Sequence, residues 1–495
     1  MSKGDSWFAR IIGILSGKPE YQTLPPEPEP EGYIEVPPPS YDERFRPQFH
    51  FSPARGWLND PNGLVYYDGW YHLFFQHTVA VEGEGDKIWG HAMSRDLVHW
   101  EQKHDVLYPD KLGTIYSGSA AVDWNNTAGL KTGEKDVLVA AYTSAGKHVN
   151  PPQPYTQSLA CSHDGGETWE KYRKNPVLRN VSGGDDRDPR IFWHQPTQRW
   201  VMVLSLDKDP KSFGFFTSPD LKKWTQTSTI QGFYECPDLF ELPVEGEPDT
   251  TKWVLLGADG GYMLGQFDGK TFQPETEKIP IDYGSNFYAA QTWNDVPAED
   301  GRRIQIAWMR GGQYPGMEFS QQMSFPCELK LRRVGGALRV CRYPVREIER
   351  LHGEQVAIAD KPLAAGSNPL RGMVGSLYDA HMEFEWGSVT EFVINMHGLT
   401  IVCTPQAITG IGRPAPLTRN DGKLELRFLL DRTSIELFAN GGAVSITSCF
   451  FSRELCTGIE FDVKGGTGTI KSASVRKLRS TWAWIQRDRA RTSVG

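Results

Sequence analysis

The 495-residue sequence predicts an all-β protein, a five-bladed β-propeller followed by a C-terminal β-sandwich. Three observations carry that expectation. Aromatic residues make up 12% of the chain with 16 tryptophans, and 50 glycines with 34 prolines promise many turns. A short polar turn ending in an aromatic residue returns several times along the first part of the chain. No segment of the ordered chain shows helical periodicity. At this length two domains are the default, because one compact core rarely serves so many residues.

Residues 1–44 carry Pro-Pro-Glu-Pro-Glu-Pro at 25–30 and Pro-Pro-Pro at 37–39. They read as an extended polar leader, disordered or draped over the surface. Order is expected from about Phe45, and residues 45–345 form the propeller. Its repeat is first seen in Ser94-Arg95-Asp96-Leu97-Val98-His99-Trp100. Looser copies follow around Asp164 and Trp169, Asp220 and Trp224, and Asp268 and Phe272. The aspartates step by 68, 56 and 48 residues, which suits blades with loop insertions. Arg332–Leu338 reads as a fifth hairpin without the aromatic signature. Residues 346–375 lose the strand pattern and read as a linker or inter-domain strand. Alternation returns in 376–485, with Asn440-Gly441-Gly442 as a hairpin turn between two strands, and that region is assigned to the sandwich.

Composition also excludes. The net charge is −8 and no Lys/Arg-rich tract lies near the motifs, so nucleic acid is not an expected partner. The apolar run Trp7–Leu15 is interrupted by Arg10 and Gly13 and is too short to span a bilayer. It is also a poor signal peptide, which favours an intracellular location over a secreted one. Seven scattered cysteines without a C-x-x-C pair imply neither a disulfide framework nor a zinc site. Oligomeric state is not readable from the sequence.

Three acids stand in unusual settings. Asp60 lies in Trp57-Leu58-Asn59-Asp60-Pro61-Asn62-Gly63, Asp188 in Arg187-Asp188-Pro189, and Glu235 in Glu235-Cys236-Pro237. Proline biases the residue before it toward extended backbone, so Asp60 is expected at the end of an extended segment, and Asp188 too stands just before a proline and beside an arginine. Each acid precedes a repeat turn by a similar interval: 36 residues for Asp60, 32 for Asp188 and 33 for Glu235. They therefore occupy equivalent places in the first, third and fourth blades. Innermost propeller strands converge on the axis, so the three can meet in one pocket. Converging carboxylates suit glycoside chemistry: one acid, its pKa raised by burial and neighbouring charge, protonates the leaving oxygen while another attacks. Hard-cation binding is the other reading of three acids, but no D-x-D-x-D loop or histidine cluster accompanies them, and no metal is expected.

With those residues in view, the chain resembles glycoside hydrolase family 32, the β-fructofuranosidases. The resemblance spans about residues 45–480. Its motifs are W-L-N-D-P-N-G at 57–63, F-Q at 75–76, W-G-H at 89–91, S-G-S at 117–119, R-D-P at 187–189, E-C-P at 235–237, F-Y-A-A-Q at 287–291 and D-R-T-S-I-E-L-F at 431–438. It implies a propeller and sandwich, as the repeats do independently. It also implies Asp60 as nucleophile, Glu235 as acid/base, and Asp188 as the acid that holds fructose hydroxyls and stabilises the transition state. Asn59, Gln76, Trp89, Ser117 and Arg187 match positions lining a terminal-fructose pocket. The implied activity is a retaining exo-β-fructosidase without a cofactor, acting on levan, inulin or sucrose. A fructosyltransferase and a silent fructan-binding module are the alternatives. The sequence departs from the family pattern at the stretched loop Val81–Asp86 and at Cys327, where many members carry arginine. Linkage preference, β-2,1 or β-2,6, stays open.

Overall fold

The computed structural model describes residues Tyr21–Gln22, 39–417, 422–451 and 457–483. Strands dominate, and the helical elements among these residues are short 3-10 turns at Gly146–His148, Gln195–Thr197 and Arg346–Leu351. Five antiparallel meanders of four strands succeed one another. The first is Gly56–Tyr67, Trp70–Thr78, Ile88–Ser94 and Glu101–Gln102, and the second is Thr114–Asp123, Val137–Ala145, Thr156–Ser162 and Glu170–Tyr172. Arg187–His194, Arg199–Leu206, Ser212–Ser218 and Thr225–Gln231 make the third. Asp238–Val244, Glu247–Leu256, Gly261–Phe267 and Phe272–Pro274 make the fourth. Tyr288–Thr292, Arg303–Trp308, Cys327–Val334 and Ala337–Pro344 complete the fifth, whose last hairpin holds the predicted Arg332–Leu338 turn. These are the five propeller blades.

The sequence repeat has a local physical cause. In the first blade Asp96 accepts hydrogen bonds from the backbone N–H groups of Val98 and His99, and the Trp100 indole donates back to Leu97 O. In the third, Asp220 accepts from Lys222 and Lys223 while Trp224 donates to Leu221 O. Leu97 and Leu221 both take φ of 62°, a left-handed turn that the aspartate and the indole hold closed. Each copy joins the third strand of a blade to the fourth.

At the axis a buried cation ties the blades together. Arg190, on the third blade's innermost strand, pairs with Asp238 at the start of the fourth at 2.8 Å, with side-chain exposures of 1% and 0%. Its guanidinium also donates to Thr292 O at 3.1 Å and Asn294 Oδ1 at 2.9 Å, at the end of the fifth. Asn294 in turn donates through its side chain to Ala120 O of the second blade and Ile191 O of the third. Its backbone exchanges hydrogen bonds with Leu64 and Tyr66 of the first. All five innermost strands meet in this one network.

The sandwich consists of two sheets. One orders His352–Leu363, Gly468–Leu478, Tyr378–Glu385, Lys423–Leu430, Ser434–Ala439 and Val444–Cys449. The other orders Ala415–Pro416, Ala407–Thr409, Leu399–Cys403, Glu391–Met396 and Glu460–Lys464. Phe384 of the first sheet stacks on Phe461 of the second at 5.5 Å, inside an apolar core. Of the two readings of 346–375, linker or inter-domain strand, residues 352–363 take the second: they form an edge strand of twelve residues paired to Gly468–Leu478 in the sandwich. Most of its side chains are exposed on both faces, so no apolar alternation marks it in the sequence.

The D-R-T-S-I-E-L-F segment joins the two parts. Asp431 and Glu436 grip opposite ring nitrogens of buried His50 at 2.8 and 2.9 Å, and Asp431 also caps the backbone of Gln48 and Phe49. Burial opposes charge on His50, but the two carboxylates outweigh it and hold the imidazolium up to about 9. Arg342, beside Cys327, pairs with Asp282 and Glu436 in the same contact. The Asn440–Gly442 turn lies against blade five so tightly that a Cβ on Gly442 would meet Arg342 O at 1.9 Å. Packed order begins slightly before the expected Phe45, because Tyr41 stacks on Trp482 at 4.4 Å. Of the leader before it, Tyr21–Gln22 pairs with Lys171–Tyr172 on the second blade. The rest of that expectation, at residues 1–20 and 23–38, lies outside the described residues.

Removing one half of the axial pair should be costly. Asp238→Ala leaves the Arg190 guanidinium buried without its carboxylate and is expected to destabilise the fold by about 3–5 kcal/mol. Denaturant unfolding against the unsubstituted protein reads that loss.

Candidate active site

The innermost strands begin irregularly, and that irregularity builds the site. Pairing register shifts between Leu58 and Pro61, between Tyr116 and Gly118, between Arg187 and Arg190, and between Tyr288 and Gln291. Such bulges re-aim side chains that regular alternation would send elsewhere. Asp188 and Glu235 hold φ of 65° and 51°, and Cys236 one of 42°. Left-handed backbone at non-glycine residues stores strain that surrounding contacts must maintain. At the second blade the bulge brings the chain so close to its neighbour that a Cβ on Gly118 would lie 2.0 Å from Ala141 O. Glycine is therefore needed between Ser117 and Ser119.

Asp60, Asp188 and Glu235 line one cavity of about 260 Å³ with Asn59, Gln76 and Ser117. Arg187 lines it too, so seven of the eight residues expected from sequence meet here. The Ser117 hydroxyl donates to Asp60 Oδ2 at 2.7 Å. Trp57 donates its indole N–H to Asn59 Oδ1 at 3.2 Å, which leaves the Asn59 amide N–H to Asp60. Arg187 Nη2 donates to Glu235 Oε1 at 2.7 Å and its Nη1 to Asp207 Oδ2 at 2.6 Å. Tyr288 donates its hydroxyl to Glu235 Oε2 at 2.5 Å. Cys236 closes the set: its N–H donates to Asp188 Oδ2 at 3.0 Å, and its thiol lies 3.5 Å from Asp60 Oδ2 and 3.6 Å from Asp188 Oδ2. Gln76 is 2% exposed and its Nε2 has no hydrogen-bond partner among the described residues.

Trp89 is the exception. It is 1% exposed, packs against Phe74 and Tyr142, and donates its indole N–H to Tyr116 O at 3.1 Å. It supports the bulge that presents Ser117 from beneath and does not line the cavity. Sequence reasoning assigned no role to Lys87, Tyr116, Tyr288, Trp308 and Arg310, which complete the walls. Tyr288 lay inside F-Y-A-A-Q, a stretch already noted. Lys87 follows the stretched loop Val81–Asp86 and is anchored by Gly83 O at 2.6 Å, so the loop does reach the rim.

The three carboxylates are not equivalent. Burial raises Asp60 above the usual carboxylate range, against hydrogen bonds from Ser117 and Asn59. Burial likewise pushes Asp188 up to about 7, with the charges of Asp60 and Glu235 opposing the pull of Arg187. Burial also raises Glu235, but Tyr288 and Arg187 outweigh it and leave that carboxyl below its ordinary value. The expectation of a raised pKa at the proton donor is thus met at the other two acids and reversed at Glu235. The Cys236 thiol is driven well above its usual range by burial and then by Asp188 and Asp60, so it stays a proton-bearing donor. Among the described residues no three His, Cys, Asp or Glu side chains are grouped to hold a metal ion. The arrangement is suited to acid, base and nucleophile work by carboxylates.

The model of the glycosyl hydrolases family 32 N-terminal domain matches residues 50–341, and that of the family 32 C terminal matches 403–477. The chain is 38% identical to a levanase of Bacillus subtilis (strain 168), over 89% of this chain and 72% of that protein. It is 31% identical to an extracellular exo-inulinase of Aspergillus awamori, over 90% of this chain and 96% of that protein. The crystal structure of exo-inulinase from Aspergillus awamori matches with a TM-score of 0.80 at 29% identity, covering 89% of this chain and all of that one.

The electrostatic ordering is open to direct titration. Arg187→Gln removes the charge that counters burial, so the Glu235 and Asp188 carboxyls should both titrate at higher pH than in the unsubstituted protein. Carboxyl-carbon NMR across the acid and neutral range reads both shifts, and unchanged midpoints would contradict the ordering.

Proposed function

The chain belongs to glycoside hydrolase family 32, and from that premise we propose a retaining exo-β-fructosidase that removes terminal β-D-fructofuranosyl units from fructans and sucrose. The observation that carries the reading is the meeting of Asp60, Asp188, Glu235 and Arg187 in one small pocket at the bulged strand starts. A cavity of 260 Å³ is small among ligand sites and suits the end of a chain better than its middle.

In the first step the Asp60 carboxylate attacks the anomeric carbon. The glycosidic C–O bond breaks and its oxygen takes a proton from Glu235. In the second, Glu235 as carboxylate removes a proton from water, whose oxygen displaces Asp60 and releases fructose. Ser117, Asn59 and the Cys236 thiol hold Asp60 in place, and the free amide N–H of Gln76 offers a donor to a sugar hydroxyl. Asp188 accepts from the ring hydroxyls, and these hydrogen bonds tighten as positive charge grows on the sugar.

Glu235 must carry a proton to act as the donor, although it is held ionised in the free pocket. A leaving-group oxygen arriving at Glu235 competes with the hydroxyl of Tyr288. Once that donor is displaced, the burial that already acts on Glu235 raises its pKa toward the value proton transfer needs.

Two substitutions separate the roles. Asp60→Asn removes the attacking oxygen and should reduce fructose release from every substrate to background. Glu235→Gln should cost roughly 10²–10⁴-fold on sucrose, levan and inulin. Its first step should recover with a fructoside whose leaving group needs no proton. Fructosyl-enzyme should then accumulate on Asp60, visible by mass spectrometry, and azide should speed turnover. Recovery in Asp60→Asn instead would reverse the two assignments.

Chelation supplies a second check. Exhaustive treatment with a strong chelator should leave the rate unchanged if carboxylates alone do the chemistry. A loss restored by a divalent ion would overturn that reading.

A further inference from the structure

The innermost strands run from the acids to the opposite mouth of the propeller, where a second and larger cavity of about 660 Å³ opens. Gln195, on its lip, lies seven residues past Asp188 along nearly continuous strand, on the order of 20 Å at ordinary strand rise. Arg190, Thr292 and Asn294 fill the axis between the two ends, so the cavity is separate from the pocket of the three acids.

Its lining is aromatic and polar by turns. Trp124 is 54% exposed, and among the described residues it is the one tryptophan in the exposed class. Its indole N–H is satisfied by Asp295 Oδ1 at 2.9 Å, which fixes the ring and leaves its face to the cavity. Trp193 is held the same way, its N–H on Gln195 Oε1 at 2.9 Å. Trp253, half-buried behind them, packs on Phe192 and Phe267. Between these rings stand planar hydrogen-bonding groups: Glu241, Gln266 and Asp268 at exposed positions, and Arg303 on the fifth blade. No ion pair engages Arg303 among the described residues; its guanidinium lies over the Phe240 ring at 5.4 Å, and its one side-chain hydrogen bond among them is a long 3.4 Å contact to Trp293 O.

Rigid indole faces interleaved with carboxylates, an amide and an under-used guanidinium match the alternating C–H faces and hydroxyl edges of a sugar chain. Three carboxylates at the lining, Glu241, Asp268 and Asp295, make an anionic ligand a poor fit, and so many polar groups suit a purely apolar one no better. We infer that this mouth is a second carbohydrate site that binds an internal stretch of fructan chain. The inference rests on the fructan-directed reading of the acid pocket. A pocket that takes one chain end gains little hold on a polymer, whereas a second contact on the same particle raises the local concentration of ends.

The experiment uses the full chain in two backgrounds. In Asp60→Asn, where cleavage is silenced, levan and inulin binding is read by affinity electrophoresis, with and without Trp124→Ala and Trp193→Ala together. The added pair should weaken polymer binding by about tenfold or more. In the otherwise unsubstituted enzyme the same pair should lower kcat/KM on the polymers several-fold and leave sucrose hydrolysis unchanged. If the alanine pair melts early, Gln266→Trp, which fills the mouth from an exposed position, is expected to give the same split. Equal polymer binding with and without the substitutions overturns the inference. A change of oligomeric state with polymer binding intact also overturns it, and shows the mouth to be a protein contact. An unsubstituted enzyme that releases no fructose from any substrate would instead sink the proposed activity, a result the binding arm does not mimic.

Discussion

A cation with no access to water sets the geometry of this molecule. Arg190 cannot be buried uncompensated, so Asp238 must reach it from the next blade, and Thr292 and Asn294 must take its remaining N–H groups. Those partners lie on different innermost strands, so satisfying one charge fixes the spacing of several blades at the axis. Backbone pairing between blades is sparse by comparison: Val244 bridges to Leu331 between the fourth and fifth, and Asn294 pairs with the first. Asn294 extends the constraint to the first and second blades through their carbonyls. Two of the three pocket acids sit within a few residues of this network: Asp188 two before Arg190, Glu235 three before Asp238. Their relative positions inherit its rigidity.

Bringing three carboxylates together creates a second electrostatic problem just above the first. Arg187 is the cation placed to answer it, and it is shared, since it also bonds Asp207, Tyr234 and Asp185 O. The answer is uneven. Glu235 receives the guanidinium and the Tyr288 hydroxyl and keeps its charge, while Asp188 receives a backbone N–H and a thiol and is left near neutrality in its titration. The free pocket therefore holds its protons in an order that bound substrate has to change. Since the groups interact strongly, the steps of a pH profile belong to the set and not to single residues.

Local chemistry was legible in the sequence and distant chemistry was not. The Asp-to-Trp turns could be found because every partner in them lies within a few residues. The three acids could be grouped because their intervals to those turns repeat, and a propeller converts equal intervals into equal places. The depressed titration of Glu235 could not be foreseen, because it depends on Tyr288, 53 residues away, and on Arg187, 48 away. Trp89 was placed in the pocket on resemblance, but its side chain lies among Phe74 and Tyr142, and His91 of the same motif stacks on His72 and Phe74 inside the blade. The strand at 352–363 is open in the sequence between linker and inter-domain strand for a simpler reason. It is held by backbone pairing at a sheet edge, and exposure on both faces removes the pattern by which strands are read.

The two ends of the propeller show how one set of strands yields two kinds of surface. At the starting end, register shifts turn neighbouring side chains together toward the axis, so Asn59 with Asp60 and Arg187 with Asp188 reach one cavity despite being adjacent in sequence. Regular pleating would have sent one of each pair to the opposite face. At the far end of the third blade the pairing is regular from Arg190 to His194, and successive residues diverge. There Phe192 packs toward Trp253 and Trp193 toward Trp200, and both edge the wider mouth. A narrow end dense in charge and a broad end dense in aromatic rings thus follow from where the bulges fall. The buried Arg190 network between them keeps each end from relaxing into the other.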